Sequence, residues 1–269
     1  MDLGIAGRVA IVTGGSKGIG LAIAESLARE GAAVFLCARG REALEGAIER
    51  LSGRVAFEAA DVAQADDCER VVEACHRTFG RVDILVNNAA GTEGRGGGFL
   101  SLRDEDWLGT WQSTLMSAVR MSRLVLPEMK ERRWGRIVMI SSTSGRQPDV
   151  VVPDYNAAKA AMINLSKTLA NSFAGDQVLV NCVCPGLVRT GAIENAAHRR
   201  LTEQGVSTAG MTADEMVNLY FGPRRPIPIG RVGRPEDIAG LVTFLCSELA
   251  GWITGGCFDV DGGWVREMM

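Results

Sequence analysis

The stretch of sequence that decides the fold lies at residues 13–20, which read Thr13-Gly14-Gly15-Ser16-Lys17-Gly18-Ile19-Gly20. It follows an apolar run directly and opens a helical pattern. Glycines let the backbone turn tightly and approach a pyrophosphate, and the free N–H groups and dipole of the following helix hold the anion. A glycine-rich turn on its own also occurs for reasons of shape. Its position between a strand-like run and a helical pattern indicates a nucleotide site.

Short apolar runs alternate with helical patterns along the rest of the chain. The runs are rich in Val and Ile and nearly continuous, as in strands buried on both faces of a sheet. They lie at 8–13, 33–38, 54–60, 82–87, 136–141, 178–184 and 257–260. Helical patterns lie at about 18–30, 41–51, 65–79, 104–131, 155–174 and 235–248. This alternation predicts an α/β fold of the Rossmann type: a doubly wound three-layer α/β/α sandwich with a mainly parallel seven-stranded sheet.

No linker, repeat or low-complexity tract divides the sequence, so we predict a single domain over residues 1–269. Two segments break the rhythm. Residues 91–98 contain five glycines and predict a flexible loop. Residues from about 190 to 231 form a long insert, and long loops in compact domains are often lids or binding segments. Both segments leave the carboxyl ends of strands, where α/β sheets bind ligands, so we expect the insert to bind the substrate.

The composition excludes several classes of function. A net charge of −3 provides no positive field for a nucleic-acid backbone. Two isolated His, and seven Cys without zinc spacing, predict no metal site; we expect the cysteines to be small buried residues in a reducing compartment. The sequence contains no stretch of ~18 apolar residues without a charged residue or a Gly, so we expect no membrane span. Residues 1–7 lack a basic segment followed by a long apolar run, which predicts a cytoplasmic protein.

Tyr155 and Lys159 carry a possible acid/base function. They lie four residues apart at the start of a predicted helix, so both side chains project from one face. A free phenol has a pKa of ~10, and a nearby ammonium favours the phenolate and lowers that pKa. A tuned Tyr can then act as general acid in a reduction or as general base in an oxidation. A surface Tyr–Lys pair without a catalytic role is the alternative.

Further motifs occur in a consistent order along the chain. They are Asp61-Val62 after the third apolar run, Asn87-Asn88-Ala89-Ala90-Gly91 at the end of the fourth, Ser142 thirteen residues before Tyr155, Pro185-Gly186, Thr190, and Asp261-Gly262-Gly263. With the Gly-x-x-x-Gly-x-Gly turn and Tyr155-x-x-x-Lys159, they cover almost the whole chain. On these motifs the chain resembles the classical short-chain dehydrogenase/reductase family, and it is similar to members of the 3-oxoacyl-(acyl-carrier-protein) reductase kind.

The resemblance implies a role for each motif. Ser142 is expected to hydrogen-bond the substrate oxygen, Tyr155 to transfer the proton, and Lys159 to bond the nicotinamide ribose and tune Tyr155. Hydride would pass between the nicotinamide and the carbon that bears the oxygen. The residues expected to contact the cofactor are Gly14, Ser16, Lys17, Ile19, Arg39, Asp61, Val62, Asn88, Ala89, Tyr155, Lys159, Pro185, Gly186, Val188 and Thr190. The resemblance also implies a homotetramer or a homodimer.

One position departs from the family. Members often have an Asn in the long helix before the fifth strand, where it supports a water-linked proton relay through the Lys. Alignment on Trp107 and on Gly135-Arg136-Ile137 places Thr114 there, next to Ser113. Thr has a hydroxyl but no amide. We assign the relay role to Thr114; the alternatives are that Ser113 supports the water, or that the relay is weakened.

The end of the second apolar run bears on the choice of nicotinamide nucleotide. An acidic residue there would bond the adenosine ribose hydroxyls and repel a 2′-phosphate. Ala38 stands where an NAD-preferring member would usually carry Asp, Arg39 follows it, and Lys17 lies in the glycine-rich turn. Two cations and no carboxylate suit a phosphate dianion, which Arg can grip bidentately. We expect NADP(H) rather than NAD(H); the alternative is that Arg39 only faces solvent.

The expected function is therefore an NADP(H)-dependent interconversion of a ketone and a secondary alcohol. The residues expected to contact the substrate are Ser142, Gln147, Val152 and Leu187. A 3-oxoacyl thioester reductase of fatty-acid or polyketide type is an alternative. A non-catalytic NADP-binding regulatory protein, suggested by Thr114, is an alternative of a different class. An enoyl-type C=C reductase is disfavoured, because such relatives usually space Tyr and Lys more widely.

Overall fold

A seven-stranded parallel sheet forms the centre of the molecule. A computed structural model describes residues 2–91, 97–223 and 226–266. The strands are β1 (Val9–Thr13), β2 (Ala33–Ala38), β3 (Val55–Ala59), β4 (Ile84–Asn87), β5 (Gly135–Ile140), β6 (Val178–Pro185) and β7 (Cys257–Val260). Their order is β3-β2-β1-β4-β5-β6-β7, and all neighbours are parallel. Each predicted apolar run forms one strand, so the predicted sheet is confirmed.

Helices cover both faces of this sheet. They are α1 (Gly18–Arg29), α2 (Arg41–Ile48), α3 (Ala65–Phe79), α4 (Asp104–Trp111), α5 (Ser117–Glu131), α6 (Pro153–Phe173), α7 (Gly191–Glu203), α8 (Ala213–Phe221) and α9 (Pro235–Leu245). The helices α1, α2 and α9 share a core with one face, and α3, α5 and α6 share a core with the other. The predicted three-layer sandwich is thus confirmed. No helix within the described ranges has the length and apolar character needed to cross a membrane.

The strands read as continuous apolar runs because both of their faces are buried. Successive strand side chains point to opposite faces. In β1, Val9 and Ile11 pack with α3, α5 and α6, whereas Ala10 and Val12 pack with α1, α2 and α9. A strand covered on both sides has no position for an exposed polar residue, which explains the missing alternation.

The order of the strands reverses at β1, and this reversal positions the site. β1 pairs with β2 on one edge and with β4 on the other. Chains leaving β1 and β4 therefore diverge to opposite faces and open a crevice at the carboxyl ends of the strands. The glycine-rich turn follows β1 directly, and Asn88 follows β4.

Two of the predicted elements need correction. The pattern at 104–131 forms two helices rather than one, because a turn of π-helix at Gln112–Met116 separates α4 from α5. The insert at 190–231 is not a long loop, since it contains α7 and α8 around a small core of Ala197, Val217 and Val232. Residues 92–96 of the predicted flexible loop, and residues 224 and 225 of the insert, lie outside the described residues.

Candidate active site

The glycine-rich turn exposes backbone N–H groups at the start of α1. Gly14 and Gly18 have φ angles of 64° and 57°, which side chains rarely allow. A Cβ atom added at Gly20 would overlap the carbonyl oxygen of Gly14. Lys17 precedes α1 without a side-chain cap, and the first turn of α1 holds no acidic residue. This end of the helix is therefore suited to an anion.

Thr13 and Asn88 fix this turn against the end of β4. The Asn88 side-chain amide donates to the carbonyl oxygens of Thr13, at 2.9 Å, and Gly14, at 3.2 Å. The buried Thr13 hydroxyl accepts from the N–H groups of Asn88, at 2.9 Å, and Ala89, at 3.0 Å. Asn88 and Ala89 thus lie beside the turn, as expected. Sequence reasoning gave no role to Thr13; a hydroxyl ending a buried strand is the signal that could have identified it.

Several other expected cofactor residues border the same crevice. A Cβ atom added at Gly18 would lie 3.3 Å from Cγ2 of Thr190, so Thr190 reaches the phosphate turn. Gly186 follows β6 and leaves no room for a side chain, because a Cβ there would lie 2.7 Å from Cβ of Asp261. Lys17 and Arg39 are exposed at the ends of β1 and β2. Both cations can therefore reach a ligand held in the crevice.

The remaining residues that are expected to contact the cofactor are less exposed to solvent. Ser16, Ile19 and Asp61 are half-buried, and Pro185 is buried at the end of β6. One carboxylate oxygen of Asp61 accepts from the N–H of Ala63. Val62 and Val188 are 7% and 5% exposed, with their side chains in the two cores. A ligand at Val62 or Val188 would therefore meet the backbone rather than the side chain.

Ser142, Tyr155 and Lys159 come together where β5 ends and α6 begins. Tyr155 lies in the first turn of α6, which Pro153 opens, and Ser142 follows β5 by two residues. A hydrogen bond joins the side chains of Ser142 and Tyr155. Lys159 is buried; its Nζ lies 5.4 Å from the centre of the Tyr155 ring and donates to the carbonyl oxygen of Ile140 at 2.6 Å. The three side chains therefore form one group, as their spacing indicated.

Hydrogen bonds from neighbouring residues hold this group in place. The Ser141 hydroxyl donates to the carbonyl oxygen of Lys159 at 2.8 Å, which ties the end of β5 to α6. The Ser142 hydroxyl accepts from the N–H of Ser144 at 3.0 Å. A Cβ atom at Gly145 would lie 2.8 Å from the Lys159 carbonyl carbon, so α6 packs directly on this loop. Ser141 and Ser144 therefore support the site without belonging to it.

Burial determines the protonation of Tyr155 and Lys159. It raises the pKa of Tyr155 to about 12, and the hydrogen bond from Ser142 opposes this increase only in part. It lowers the pKa of Lys159 to about 8. In the chain by itself, desolvation outweighs the effect of the hydrogen bond from Ser142, so the net pKa of Tyr155 lies above that of a free phenol. That Lys159 tunes Tyr155 when the nicotinamide is bound stays a prediction.

The consequence is that Tyr155 keeps its proton throughout the neutral range. A protonated phenol can donate that proton to an oxygen atom and act as a general acid. Lys159 is mostly charged at neutral pH, since its pKa lies at about 8. This combination of states suits the reduction of a carbonyl group.

Thr114 lies in the π turn, and its hydroxyl is uncommitted. The residue is fully buried, and its Oγ1 has no hydrogen-bond partner among the described residues. Ser113 differs, because its hydroxyl donates to the backbone carbonyl oxygen of Gly109 at 3.0 Å. Of the two hydroxyls considered for the relay, only that of Thr114 is therefore available.

Asp154 joins α6 to α4 next to the catalytic tyrosine. It is 3% exposed, and its carboxylate accepts from the Thr110 hydroxyl at 2.6 Å. The first turn of α6 is thereby fixed to the helix that precedes the π turn. Sequence reasoning missed this pair. The signal available was an acidic residue directly before Tyr155, in a position that a helix start favours for its own reasons.

Three expected substrate residues lie next to the elements that carry this site: Gln147 follows β5, Val152 directly precedes α6, and Leu187 follows β6. Gln147, Val152 and Leu187 are half-buried. Leu187 packs on the core of the insert and contributes to a cavity of about 190 Å³. The other main lining residues of that cavity are Asn218, Pro226, Ile227, Arg231 and Val232. The insert thus forms an open cavity, and Leu187, which follows β6, is the expected substrate residue that lines it.

A glycine-rich turn at the strand reversal, with Ser142, Tyr155 and Lys159 beside it, defines a nucleotide-dependent α/β oxidoreductase. Residues 8–201 match the family model described as short chain dehydrogenase, and residues 206–265 match a model described as enoyl-(acyl carrier protein) reductase. The chain belongs to the short-chain dehydrogenase/reductase family. The predicted family and enzyme class are thereby confirmed.

Known relatives align over almost the whole chain. The 3-oxoacyl-(acyl-carrier-protein) reductase FabG of Haemophilus influenzae is 35% identical, with 96% of this chain and 98% of the relative covered. Human dehydrogenase/reductase SDR family member 4 is 34% identical, with 96% and 88% covered. L-sorbose reductase from Gluconobacter frateurii, solved with NADPH and L-sorbose, is 38% identical, with a TM-score of 0.91 over 100% of both chains.

Proposed function

We propose that this protein reduces a ketone to a secondary alcohol with NADPH and catalyses the reverse reaction with NADP⁺. The observation that carries the proposal is the assembly of Ser142, Tyr155 and Lys159 around a protonated phenol. The solved relative that reduces L-sorbose holds NADPH, and its fold matches this one over the full length.

Each residue of the group has a defined task in the reduction. Bound NADPH supplies the hydride to the carbonyl carbon. The hydroxyls of Ser142 and Tyr155 donate to the carbonyl oxygen and orient it. Tyr155 then transfers its proton to that oxygen, so that one C–H and one O–H bond form. The Lys159 ammonium stabilises the phenolate that remains, because it lies over the same ring.

The residues around the phosphate turn fit NADPH. Three glycines of the turn leave room only for backbone, as close approach of a pyrophosphate requires. Lys17 and Arg39 are exposed beside it, and Ala38 offers no carboxylate to repel a 2′-phosphate. NAD(H) would lack the group that these two cations suit. The selection of NADP(H) over NAD(H) is therefore assigned to Arg39 and Lys17.

We also assign the proton relay to Thr114. Its free buried hydroxyl can hold a water molecule between the catalytic lysine and solvent, as the Asn of the family does. The π turn supports this role, since π turns leave backbone carbonyl groups without their usual helical partners and occur frequently at functional sites. Tyr155 would then regain its proton through Lys159 and this water.

A 3-oxoacyl thioester reductase is the second candidate. It is favoured by 35% identity over almost the full length to a 3-oxoacyl-(acyl-carrier-protein) reductase. The same catalytic group would serve this substrate, because the reacting unit is again a ketone. A non-catalytic NADP-binding protein is opposed by the complete group of Ser142, Tyr155 and Lys159. The Tyr–Lys spacing of four likewise opposes an enoyl reductase, despite the name of the model matched by residues 206–265.

The proposed enzyme is a single-domain cytoplasmic protein that assembles as a homotetramer. Helices α4 and α5, with the segment before β7, are the proposed subunit contacts. Apolar side chains exposed on these segments support that assembly, namely Leu108 and Trp111 on α4 and Leu249 and Trp252 before β7. The substrate is a small molecule bound between the catalytic group and the insert.

Replacement of the catalytic tyrosine tests the function. A vicinal diketone is offered to the full-length protein with NADPH, and the decrease in NADPH absorbance is followed. We expect Tyr155→Phe to lower the rate by about 10²–10⁴-fold, the usual contribution of a general acid. Binding of NADPH, followed by its fluorescence, should persist in the variant. Tyr220→Phe is the matched control, because Tyr220 packs in the core of the insert. Full activity in Tyr155→Phe would contradict the proposed mechanism.

A further inference from the structure

Three thiols form a cluster on the β6–β7 edge of the sheet. The Sγ atoms of Cys182, Cys184 and Cys257 all lie within 4.8 Å of one another, and those of Cys184 and Cys257 are 3.5 Å apart. Cys182 and Cys184 share a face of β6 because they are two residues apart. Cys257 is the direct neighbour of Cys182 in the register of β6 with β7. The sequence concealed this group, since Cys257 lies far along the chain from the other two.

The surroundings of the cluster are charged as well as apolar. Cys182 and Cys184 are buried, whereas Cys257 is half-buried on the edge strand, so the cluster can be approached from one side. The positive charges of Arg146 and Lys159 interact with thiols of the cluster. Arg146 also pairs with Asp259, the neighbour of Cys184 in the register. The positive charges of Arg146 and Lys159 therefore favour negative charge on the sulfur atoms, and the Asp259 carboxylate opposes it.

We propose that Cys182, Cys184 and Cys257 form a binding site for a soft, three-coordinate metal ion, namely Cu(I). Thiolates are the ligands that select Cu(I), and three sulfur atoms in a triangle match three-coordination. Binding breaks three S–H bonds and forms three Cu–S bonds, and the three protons pass to the solvent. No electrons are transferred. The complex carries two net negative charges, which the positive charges of Arg146 and Lys159 offset in part.

Zinc fits this arrangement less well, because structural zinc sites are closed by four ligands and the described residues contribute only these three to the group. A disulfide can join only two of the three thiols. Cys184 and Cys257 are offset diagonally on neighbouring strands, and their Cα atoms are expected to lie ~8 Å apart, beyond the ~7 Å limit for a disulfide. Cys182 and Cys257 face each other in the register, at a Cα separation of ~5 Å that a disulfide can span, so the protein is fully reduced before the titration. All three thiols are free in the structure.

Anaerobic titration with Cu(I) tests the proposal on the full-length protein. Cu(I) is added as its acetonitrile complex in competition with a chromogenic Cu(I) chelator. We expect one Cu(I) per chain, sulfur-to-copper charge-transfer absorption in the ultraviolet, and release of protons. Cys257→Ser and Cys182→Ser should each weaken binding by more than ~100-fold, since even the loss of an outer partner of a metal site costs 10–100-fold.

Matched variants separate this site from general thiol reactivity. Cys246 is a buried thiol in the core on the opposite face of the sheet, and Cys246→Ser should bind Cu(I) as the unmodified protein does. Circular dichroism and thermal unfolding show whether each variant is folded. Cys257→Ser changes the half-buried member, so it tests the site even where Cys182→Ser fails to fold. Failure to retain Cu(I) against the chelator overturns the proposal. So does equal retention by Cys257→Ser, or Zn²⁺ binding as strong as that of Cu(I).

Discussion

Thr114 carries a buried hydroxyl that destabilises the fold as long as it has no hydrogen-bond partner. A buried polar atom without a hydrogen bond destabilises a fold by about 1–3 kcal/mol, and Oγ1 of Thr114 is such an atom in the described part of the chain. Ser166 is another; it lies on α6, about two turns beyond Lys159 and in a different helix from Thr114. The hydroxyl of Thr114 is proposed to act in the proton relay, whereas that of Ser166 has no assigned role, so the two residues can be compared.

Replacing Thr114 with Val tests the proposed relay. Valine keeps the shape and removes the unsatisfied oxygen, so the melting temperature should stay the same or increase. We expect kcat to fall about tenfold, less than the ~10²-fold or more that a direct general acid contributes. Thr114→Ser should keep the rate, and Ser166→Ala should change stability without changing kcat. A Thr114→Val enzyme with an unchanged kcat, and an unchanged solvent isotope effect on kcat, would show that the hydroxyl has no part in the relay.

Arg39 is the residue at which the choice of cofactor is tested. We expect Arg39→Asp to lower kcat/KM with NADPH about 10–100-fold more than with NADH, because a hydrogen bond to a charged group contributes ~1.5–3 kcal/mol. Kinetics with both cofactors at equal ketone concentration measure this ratio. Arg29→Asp is the control, since Arg29 is exposed in the last turn of α1, at the opposite end from the phosphate turn. Equal losses with the two cofactors would exclude a contact between Arg39 and the 2′-phosphate.

The tyrosine shows what a sequence can and cannot reveal about a residue. The spacing of Ser142, Tyr155 and Lys159 predicted that the three would meet, because a motif fixes which residues share a helix face and a strand end. The pKa of Tyr155 could not be predicted, because it depends on how completely the surrounding elements bury the phenol. Burial raises this pKa to about 12, in the opposite direction to the one expected from the Lys alone.

The glycine-rich turn is the element whose shape depends most strongly on the absence of side chains. Gly20 lies in the first turn of α1, against the carbonyl of Gly14 and the amide of Asn88. A methyl group at this position must push the helix away from the turn and from the end of β4. The N–H groups that face the phosphates would then be displaced together with α1.

Gly20→Ala should therefore weaken NADPH binding, whereas the same substitution at Gly240 should not. Overpacking of this kind costs about 1–3 kcal/mol, so we expect the Kd for NADPH to rise about tenfold or more. Gly240→Ala on α9 meets open space, and it should stabilise the fold by ~0.5–1 kcal/mol because alanine favours helix. Titration of NADPH fluorescence and thermal unfolding measure both effects. Wild-type affinity in Gly20→Ala would mean that the turn does not hold the cofactor.

The insert was predicted as a loop although the sequence contains a helix start. Thr212 and Glu215 form a capping box at the start of α8: the Thr212 hydroxyl accepts from the Glu215 N–H, and the Glu215 carboxylate accepts from the Thr212 N–H. A Thr followed three residues later by Glu is readable in the sequence. The π turn differs, since no local signal at Gln112–Met116 separates it from ordinary helix. It depends on packing between α4, α5 and α6.

At the scale of the whole molecule, large apolar side chains are exposed at several places among the described residues. They include Leu108 on α4, which is 61% exposed, and Trp252 before β7, which is 99% exposed. A contiguous apolar surface marks a contact site, whereas a single exposed apolar side chain does not. The proposed tetramer would use two kinds of two-fold contact, one at α4 and one before β7, whereas a dimer needs only one.

Light scattering should accordingly give a mass of about four times 28.7 kDa. Leu108→Arg and Trp252→Arg should each reduce the mass by about half, because each places a charge in one contact only. Leu219→Arg is the control, since Leu219 is exposed on α8, outside the segments proposed as subunit contacts. Circular dichroism should show that all three variants are folded. A monomeric mass for the unsubstituted protein would refute the proposed tetramer.

The architecture of the molecule was predictable in outline, because strands buried on both faces appear in the sequence as nearly continuous apolar runs. Every strand was located to within one or two residues. The meeting of Cys182 and Cys184 with Cys257 was not predictable, because it depends on which strands are neighbours and in which register. Local patterns determine the elements, whereas contacts across the sheet follow from its order.

The reversal of strand order at β1 has a consequence for synthesis of the chain. β2 can pair with β1 as soon as Ala38 has left the ribosome, but the other edge of β1 must wait for β4, which ends at Asn87. Residues 39–87 take roughly 2–10 s to translate at ~5–20 residues per second. During this interval an apolar strand edge is open to pairing with other nascent chains. Slower translation of this stretch would prolong that exposure and increase the need for chaperones.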